Sequence, residues 1–292
     1  MTPQSPPLQR INTVLELRRV LDPVRLAGRT IGLVPTMGAL HEGHLSLVRA
    51  CRAECDVAVV SIYVNPSQFG PNEDLARYPR SLEADLAALA DCGTDLAFVP
   101  TSEEVYPPGY STWVEVGPVA RPLEGECRPG HFRGVATIVL KLLNMVGPQI
   151  AYFGQKDFQQ ALVIRRLVED LNVPVEIRVL PTVREADGLA MSSRNRYLSP
   201  EERGRAAVLF KSLRLAKDLI ARGETNAAAI ATKMREVILS ANPARIDYAA
   251  LVDPETLEPL QEVRRPTLAA LAVVIGRTRL IDNCLLEPLA AG

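Results

Sequence analysis

One stretch of this chain reads Pro35-Thr36-Met37-Gly38-Ala39-Leu40-His41-Glu42-Gly43-His44. The apolar run before it, residues 31–34, predicts a buried strand, and residues 45–51 predict a helix. Two of the chain's three histidines therefore lie at a strand-to-helix turn. Because the start of a helix presents unpaired N–H groups and the positive end of its dipole, this turn suits an anion such as a phosphate.

The composition indicates a folded protein with balanced charge. The 292 residues are 47% hydrophobic and carry 33 Lys+Arg against 34 Asp+Glu, which argues against an extended nucleic-acid surface. The five cysteines form neither a C-x-x-C pair nor a zinc set, so no residue is predicted as a metal ligand. Residues 1–10 lack the features of a signal peptide, and no apolar run is long enough to span a membrane. We expect a soluble, cytoplasmic protein with no membrane or nucleic-acid partner.

Apolar runs alternate with helical patterns through the first two-thirds of the chain. Strands are predicted at residues 31–34, 57–64, 96–99, 150–153 and 175–180. Helices are predicted from near Gly43 and at residues 82–90, 134–146 and 158–170. This alternation is typical of an α/β, Rossmann-like domain with a parallel sheet, right-handed crossovers and helices on both faces. Ligands bind such sheets beyond the carboxyl ends of the strands, where residues 35–44 lie.

The pattern changes after about residue 182. Ser199-Pro200-Glu201-Glu202 has the residues of a helix start, with a serine cap, proline at the first helical position and glutamate three residues after the cap. A second helix is predicted at residues 226–239, and strands at 247–252, 267–275 and 278–282, the last two joined by a tight Gly276-Arg277 turn. We therefore predict a catalytic domain at residues 1–183 and a smaller α+β lid domain at residues 184–292.

Four polar clusters carry the candidate chemistry, and each also has a plain structural explanation. His41 and His44 can donate hydrogen bonds to phosphate oxygens as charge builds in a displacement, or they can simply cap a helix. In Asn65-Pro66-Ser67-Gln68 the neutral amide of Gln68 can hold a hydroxyl or carboxylate, although Asn-Pro is also an ordinary turn.

The other two clusters bring cationic side chains. In Gly154-Gln155-Lys156-Asp157-Phe158-Gln159-Gln160, Lys156 suits phosphates, Asp157 suits a ribose or the water shell of a metal, and Gln160 can share a cavity with Gln68. Met191-Ser192-Ser193-Arg194 supplies hydroxyls and a guanidinium for an anion, after a polar stretch at residues 184–188 that we expect to be mobile, as in a clamp that closes over a nucleotide. Solvated surface loops are the alternative for both.

Together with Arg128-Pro129-Gly130-His131-Phe132-Arg133-Gly134 and Arg184-Glu185-Ala186-Asp187-Gly188, these clusters resemble the pantothenate synthetase (pantoate–β-alanine ligase) family of the nucleotidylyltransferase superfamily. The resemblance runs from about residue 9 to 286. It implies ATP-dependent condensation of (R)-pantoate with β-alanine through pantoyl adenylate, in pantothenate and coenzyme A biosynthesis. It also implies Mg²⁺ with ATP, and a homodimer.

The resemblance also implies roles for individual residues. His44, His41, Lys156 and Arg194 are the catalytic candidates. The implied ATP contacts are Met37, Gly38, Ala39, Leu40, His41, Glu42, Gly43, His44, Gly154, Gln155, Lys156, Asp157, Val183, Met191, Ser192, Ser193 and Arg194. The implied substrate contacts are Gln68 for pantoate and β-alanine, Gln160 for pantoate, and Asn65, with Glu124 and Arg128 as weaker candidates near the second substrate.

One position departs from the family, and other interpretations remain open. The family usually has Glu where this chain has Gln155. We expect the backbone of this residue to contact ATP, so that little is lost; if the carboxylate matters, the phosphate or metal arrangement is put in doubt. Another nucleotidylyltransferase would keep the histidine turn without the Gln68 and Gln160 pair. A relative of the aminoacyl-tRNA synthetases would carry an anticodon-binding extension. A non-catalytic nucleotide-binding protein could lose His41, His44 or Lys156.

Overall fold

A computed structural model describes residues 7–287 as two compact units. Unit 1 comprises the residues up to Gly117, Arg128–Gly154 and Gln159–Pro181, and unit 2 comprises Pro118–Cys127, Gln155–Phe158 and the residues from Thr182 onward. The boundary that the sequence predicts between residues 183 and 184 stays a prediction. The prediction that residues 1–10 lack a signal peptide falls partly on residues 1–6, which lie outside the described residues.

Unit 1 alternates strands and helices, as the sequence predicts. Its strands are β1 (Gln9–Ile11), β2 (Ile31–Thr36), β3 (Val57–Ile62), β4 (Leu96–Phe98), β5 (Ile150–Gly154) and β6 (Glu176–Leu180). Its helices are α1 (Val14–Leu26), α2 (Glu42–Glu54), α3 (Leu82–Asp91), α4 (Ser102–Val105), α6 (His131–Val146) and α7 (Phe158–Asp170), the last of which begins in unit 2.

The six strands form one parallel sheet whose order reverses in the middle. The order is β1-β4-β3-β2-β5-β6, and every pair is parallel. From β2 the chain builds outward to β3 and β4, and then returns to place β5 on the other side of β2. Such a reversal opens a crevice at the carboxyl ends of the two central strands, here at Thr36 and Gly154. The predicted α/β, Rossmann-like fold is confirmed.

Helices cover both faces of this sheet. β2 packs against α2 and also against α6, while α3 contacts α2 and α1 contacts α6. All six residues of β3 are buried, as expected for a parallel strand that is covered on both sides. The sequence's run of small and β-branched residues at this strand follows from that double burial.

Unit 2 contains a three-stranded antiparallel sheet with helices packed on it. Its strands are β7 (Arg245–Val252), β8 (Thr267–Ile275) and β9 (Thr278–Leu286), and its helices are α5 (Glu124–Cys127), α8 (Pro200–Ala206), α9 (Val208–Ala221) and α10 (Ala227–Leu239). Leu213, Met234 and Leu271 share one buried core. Gly276, in the left-handed region at φ 58°, turns β8 into β9.

Several element bounds differ from the prediction, and some elements were not predicted. The strand predicted at 278–282 continues to Leu286, and the helix predicted at 134–146 begins at His131. The unpredicted elements include β1, α1, α9 and the short helices α4 and α5. The Ser199 hydroxyl accepts from the Glu202 N–H and the Glu202 carboxylate accepts from the Ser199 N–H, as the predicted capping box requires. None of the helices within residues 7–287 has the length and apolar character that crossing a membrane requires.

Candidate active site

The turn after β2 is held by a buried carboxylate. Asp85 is 3% exposed, and its two oxygens accept hydrogen bonds from the backbone N–H groups of Ala39 and Leu40, each at 2.8 Å. The turn needs left-handed backbone at Gly38 (φ 79°) and at Ala39 (φ 50°). Because a non-glycine residue there costs free energy, the two hydrogen bonds that Asp85 accepts offset a local strain. Asp85 thereby holds the backbone of the turn that precedes helix α2.

Both histidines of the turn use Nδ1 to cap helix α2. The Nδ1 atom of His41 accepts from the Gly43 N–H at 3.2 Å, and the Nδ1 atom of His44 accepts from the His41 N–H at 3.3 Å. The two rings lie 4.1 Å apart between centroids. An imidazole whose Nδ1 accepts a hydrogen bond carries its proton on Nε2 when neutral. Each ring therefore carries its proton on Nε2, and the caps themselves use only Nδ1.

The neutral amides predicted after β3 form one buried network. Asn65 is 1% and Gln68 8% exposed. The Asn65 Nδ2 donates to Gln68 Oε1 at 3.0 Å and to the Gly134 carbonyl at 3.2 Å, and the Gln68 Nε2 lies 3.3 Å from Met37 Sδ. Tyr106 donates its hydroxyl to Asn65 Oδ1 at 3.0 Å. The amide of Gln68 is thus oriented with Nε2 toward the turn that carries the histidines.

A second group of side chains holds the backbone of Gln68. The Gln68 carbonyl accepts from His131 Nδ1 at 2.8 Å and from Arg128 Nη2 at 3.4 Å. Arg128 in turn forms two hydrogen bonds with the Glu73 carboxylate, at 2.8 and 2.6 Å. Arg128, a candidate for the second substrate, is therefore engaged with protein groups.

Gly134 lets α6 approach this loop closely. A Cβ atom at Gly134 would lie 2.3 Å from the Ser67 carbonyl oxygen and 2.6 Å from the Gln68 nitrogen. No real side chain tolerates such distances, so the backbone contact that places Gln68 requires glycine here.

Gln160, on α7, is half-buried and differs from Gln68 in its surroundings. Within residues 7–287 its side chain has no hydrogen-bond partner, and nothing joins it to Gln68. A half-buried amide without a protein partner can serve a ligand. The predicted sharing of one cavity by the two glutamines stays a prediction.

The loop after β5 lies in the Gln155–Phe158 segment of unit 2. Asn283 on β9 donates its Nδ2 to the carbonyls of Gln155 and Lys156, at 3.0 and 2.8 Å. The Lys156 ammonium lies 3.5 Å from the Asp157 carboxylate, and the two side chains are 19% and 46% exposed. The loop's backbone is therefore fixed to the sheet, while the Lys156 ammonium forms a long ion pair with Asp157 and also interacts electrostatically with Asp282. Among the described residues, Asn283 binds the backbone carbonyl of Gln155, and the Gln155 side chain makes no hydrogen bond.

The stretch that the sequence suggested as mobile is a hydrogen-bonded hairpin. Met191 N–H donates to the Val183 carbonyl at 3.0 Å. Arg184 forms two bonds with Asp282, at 2.6 and 2.9 Å, and the Asp282 side chain is fully buried. Burial raises the pKa of Asp282 even though the Arg184 guanidinium opposes that shift. Arg184 thus fastens the hairpin to β9 and is not a spare cation.

The Ser192-Ser193-Arg194 loop begins a short helical turn in unit 2. The Ser192 Oγ accepts from the Arg194 N–H at 3.3 Å, and Ser193 is 5% exposed. Asn195 ties this turn to the hairpin by donating to Glu185 Oε1 at 2.7 Å. The loop is preorganised, which lowers the conformational entropy lost when an anion binds.

Glu124 is part of a buried ionic network in unit 2. Its two oxygens accept from Arg279 at 2.7 Å each, and Oε1 also accepts from the Tyr248 hydroxyl at 2.8 Å. Burial and the Glu124 charge raise the pKa of Tyr248 well above its usual value, so the phenol stays a donor. The sequence offered Glu124 for the second substrate, but these contacts use both of its oxygens.

The carboxylates, thiols and imidazoles of residues 7–287 form no cluster of three or more that could hold a metal ion. A magnesium ion that arrives with a nucleotide fits this arrangement, because Mg²⁺ keeps several waters and binds phosphate oxygens in preference to an all-protein cage.

The comparisons with known proteins identify the family. The profile described as Pantoate-beta-alanine ligase matches residues 9–285. A curated pantothenate synthetase from Moorella thermoacetica is 55% identical over 280 residues, covering 96% of this chain and 99% of the relative. This chain belongs to the pantoate-beta-alanine ligase family. A relative of the same name from Roseiflexus sp. is 58% identical over 277 residues, covering 95% of this chain and 99% of its own.

Solved structures of the pantoate-beta-alanine ligase family share the fold. The crystal structure of pantothenate synthetase from Thermus thermophilus has a TM-score of 0.92 at 48% identity, covering 96% of this chain and all (100%) of that one. A ligase from Francisella tularensis, solved in complex with β,γ-ATP and β-alanine, has a TM-score of 0.79 at 35% identity, covering 95% and 97% of the two chains.

Within this pantoate-beta-alanine ligase fold, the sequence reasoning missed the residues that hold others in place. Asp85, His131 and Gly134 each fix a backbone segment of a candidate residue. His131 and Gly134 lie in the 128–134 motif, whose match to the family was the available signal. No local signal pointed to Asp85, because a carboxylate in the first turn of a predicted helix is ordinarily exposed to solvent.

Proposed function

We propose that this chain condenses (R)-pantoate with β-alanine to form pantothenate, with ATP converted to AMP and pyrophosphate. Family membership supports the overall reaction. The observation that carries the ATP-dependent mechanism is the pair of histidines that cap helix α2 through Nδ1 and carry their protons on Nε2. The pair lies at a helix start, beyond the carboxyl end of a central strand, where phosphates commonly bind.

The proposed chemistry has two displacements. A pantoate carboxylate oxygen bonds to the α-phosphorus of ATP, and the bond from that phosphorus to the bridging oxygen breaks, releasing pyrophosphate. The β-alanine amine then bonds to the acyl carbon of pantoyl adenylate, the carbon–oxygen bond to the phosphate breaks, and AMP leaves as the amine loses a proton. The first step brings two anions together, so hydrogen-bond donors and cations must offset their repulsion.

In unit 1 we assign donors to the nucleotide and amides to pantoate. Neutral His41 and His44 donate from Nε2 to oxygens on the α-phosphorus as charge builds there. Gln68 donates from Nε2 to pantoate and also meets β-alanine, with Asn65 orienting its amide. Gln160, whose amide has no partner within residues 7–287, holds pantoate's other polar groups. An amide binds a carboxylate without neutralising it, so the attacking oxygen keeps its charge.

In unit 2 we assign the phosphate contacts to Lys156, Ser192, Ser193 and Arg194, and the ribose contact to Asp157. Mg²⁺ on the phosphates would withdraw negative charge and ease the departure of pyrophosphate. Met37, Met191, Gly154 and Val183 also line the nucleotide site in this proposal, the last two largely through their backbone. The assignment of residues 1–183 to ATP and pantoate binding, and of residues 184–292 to the smaller domain, is part of this proposal.

We also propose a homodimer, which gel filtration with light scattering would report as twice the chain mass of 31.9 kDa. A species of the single-chain mass at micromolar concentration contradicts this part of the proposal.

Replacement of His44 tests its donor role, and two variants separate that role from capping. His44→Ala removes the cap and the donor, whereas His44→Asn keeps an acceptor near Nδ1 but has no donor near Nε2. Both variants should release pyrophosphate from ATP and pantoate about 10²–10³ times more slowly, as for loss of one transition-state donor. Only His44→Ala should also lower the urea midpoint. A wild-type rate in His44→Asn means that His44 acts as a cap alone.

Replacement of Gln68 tests the pantoate assignment. Gln68→Ala should raise the KM for pantoate roughly tenfold or more, because a buried ligand oxygen loses its hydrogen bond. The KM for ATP should change little, since the histidine turn remains. Asn144→Ala is the control, because Asn144 is exposed on α6. An unchanged dependence on pantoate concentration would remove Gln68 from the substrate site.

One assay separates the proposal from its rivals: pyrophosphate and AMP are followed with ATP and pantoate, with and without β-alanine. The proposed ligase releases pyrophosphate in both cases and AMP with β-alanine. Another nucleotidylyltransferase ignores pantoate, and a nucleotide-binding protein releases neither product.

A further inference from the structure

We infer that His131 is a positioning residue for Gln68, acting through a single hydrogen bond whose donor nitrogen is selected by Arg128. This inference deepens the proposed function and rests on it, since it concerns how the proposed pantoate-binding amide is held. All the residues involved lie in unit 1.

The tautomer of His131 follows from its two neighbours. Arg128 Nη1 lies 3.1 Å from His131 Nε2, and the Gln68 carbonyl oxygen lies 2.8 Å from His131 Nδ1. A guanidinium can only donate and a carbonyl can only accept. His131 Nε2 must therefore accept, and Nδ1 must carry the proton and donate it to Gln68. His131 has the opposite tautomer to His41 and His44, whose Nδ1 atoms accept.

Arg128 is itself fixed in place, so this selection is built into the structure. Glu73 binds the guanidinium at Nε and Nη2, at 2.8 and 2.6 Å. Such a two-point pair holds the plane of the guanidinium as well as its position. The side chains of Arg128 and Glu73 are 13% and 24% exposed, and His131 is 8% exposed.

The Gln68 backbone is the part of the loop that needs support. The loop from Asn65 to Gln68 makes only one helical turn, of 3₁₀ type over Pro66–Gln68, and such short turns have weak hydrogen-bond geometry. The bond from His131 and the close packing of Gly134 hold this turn against α6 from two sides. A shift of about 1 Å in a substrate-positioning group is enough to lower activity by orders of magnitude.

Three variants of His131 test the inference, because Asn and Gln each replace one ring nitrogen. His131→Asn keeps an amide N–H near Nδ1 and can still donate to the Gln68 carbonyl. His131→Gln places its amide near Nε2, where it can accept from Arg128 but cannot reach Gln68. His131→Ala loses both. Asn144→Ala on the same helix is the control, because its side chain is exposed.

The measurement is pyrophosphate release against pantoate and ATP concentration, together with the urea midpoint of each variant. We expect His131→Ala and His131→Gln to raise the KM for pantoate about tenfold, as for loss of one net hydrogen bond. The KM for pantoate in His131→Asn should stay within about threefold of the wild type. The KM for ATP should stay unchanged in all three variants. Should His131→Ala fail to fold, the comparison of Asn with Gln still decides.

Two results overturn the inference. One is a pantoate KM in His131→Gln within about twofold of the wild type while Gln68→Ala raises it. The other is an equal increase of the pantoate KM in His131→Asn and His131→Gln, which would mean that the packing of the ring, and not its Nδ1 hydrogen bond, positions Gln68. Failure of the proposed function is distinct from both, because then the unaltered protein releases no pyrophosphate in response to pantoate.

Discussion

At the residue scale, the orientation of one amide carries the most chemical information. Gln68 Oε1 accepts from Asn65, so Gln68 Nε2 is the atom that can offer hydrogen to a ligand. Asn65 is in turn fixed because its own oxygen accepts from Ser67 and Tyr106. Neutral groups alone orient the side-chain amide of Gln68, which suits the carboxylate that must remain nucleophilic in the proposed reaction.

A methyl group at Gly134 should disturb this arrangement. Gly134→Ala places a Cβ atom 2.3 Å from the Ser67 carbonyl, so the turn or the helix must move. We expect the free energy of unfolding to fall by about 1–3 kcal/mol, as for overpacked sites, and the pantoate KM to rise. Urea titration and steady-state kinetics measure the two effects.

Gly204→Ala is the matched control, because nothing lies within 4 Å of a Cβ atom at that helical position. It should leave stability unchanged or raise it by roughly 0.4–1 kcal/mol. Equal urea midpoints for Gly134→Ala and the wild type would show that the turn yields without cost.

At the element scale, the short helix α5 depends on contacts with two distant strands. Glu124 on α5 meets Tyr248 of β7 and Arg279 of β9, and Arg279 also bonds Asp247 at 2.6 Å. A helix of four residues has little stability of its own. The ionic network therefore decides where α5 lies in unit 2.

Removal of the cation from this network should be costly. Arg279→Met leaves Glu124, whose side chain is 8% exposed, with a buried charge and without its guanidinium. We expect a loss of about 3–5 kcal/mol, typical for breaking one side of a buried pair, in chemical unfolding at neutral pH. Arg264→Met is the control, because the Arg264–Glu262 pair is exposed to solvent and should contribute nothing measurable. Equal midpoints for the two variants would contradict the structural role of Arg279.

At the scale of the whole molecule, a nearly balanced net charge of −1 leaves local ion pairs to govern the response to acid. The hydrogen bonds from Arg203 lower the pKa of Asp187 below 3.8, its ordinary value. A carboxyl whose folded pKa is lowered takes up its proton more readily in the unfolded chain. Its contribution to stability is therefore present above its ordinary pKa and is lost as the pH falls through the folded pKa.

Asp187→Asn should accordingly lower the urea midpoint at pH 7 and make it less sensitive to acid below about pH 4. The measurement is the midpoint between pH 7 and pH 2 for the wild type and the variant. Asp218→Asn, at an exposed position on α9, should track the wild type throughout. Parallel curves for Asp187→Asn and the wild type would mean that the pair with Arg203 contributes nothing to folding.

The order of elements was predictable because the signals are local. The apolar runs at β2, β3 and β5 and the helical spacing of α7 are visible within ten or so residues, and their ends differ from the prediction by only a few residues. The strand β1 was not predicted, because a run of three residues is too short to show an alternation of apolar and polar side chains. Its pairing with β4 depends on residues far along the chain.

By itself, the sequence determined the parallel α/β core, the strand-to-helix turn at residues 35–44 and the family to which the chain belongs. Only the tertiary structure decided that Asp85 binds the backbone of that turn, that His131 donates to the Gln68 carbonyl, and that Arg279 pairs with Glu124. These bonds join residues 46, 63 and 155 positions apart. A local pattern specifies which groups need a partner, but the partner is chosen by which surfaces the folded chain brings within hydrogen-bond distance.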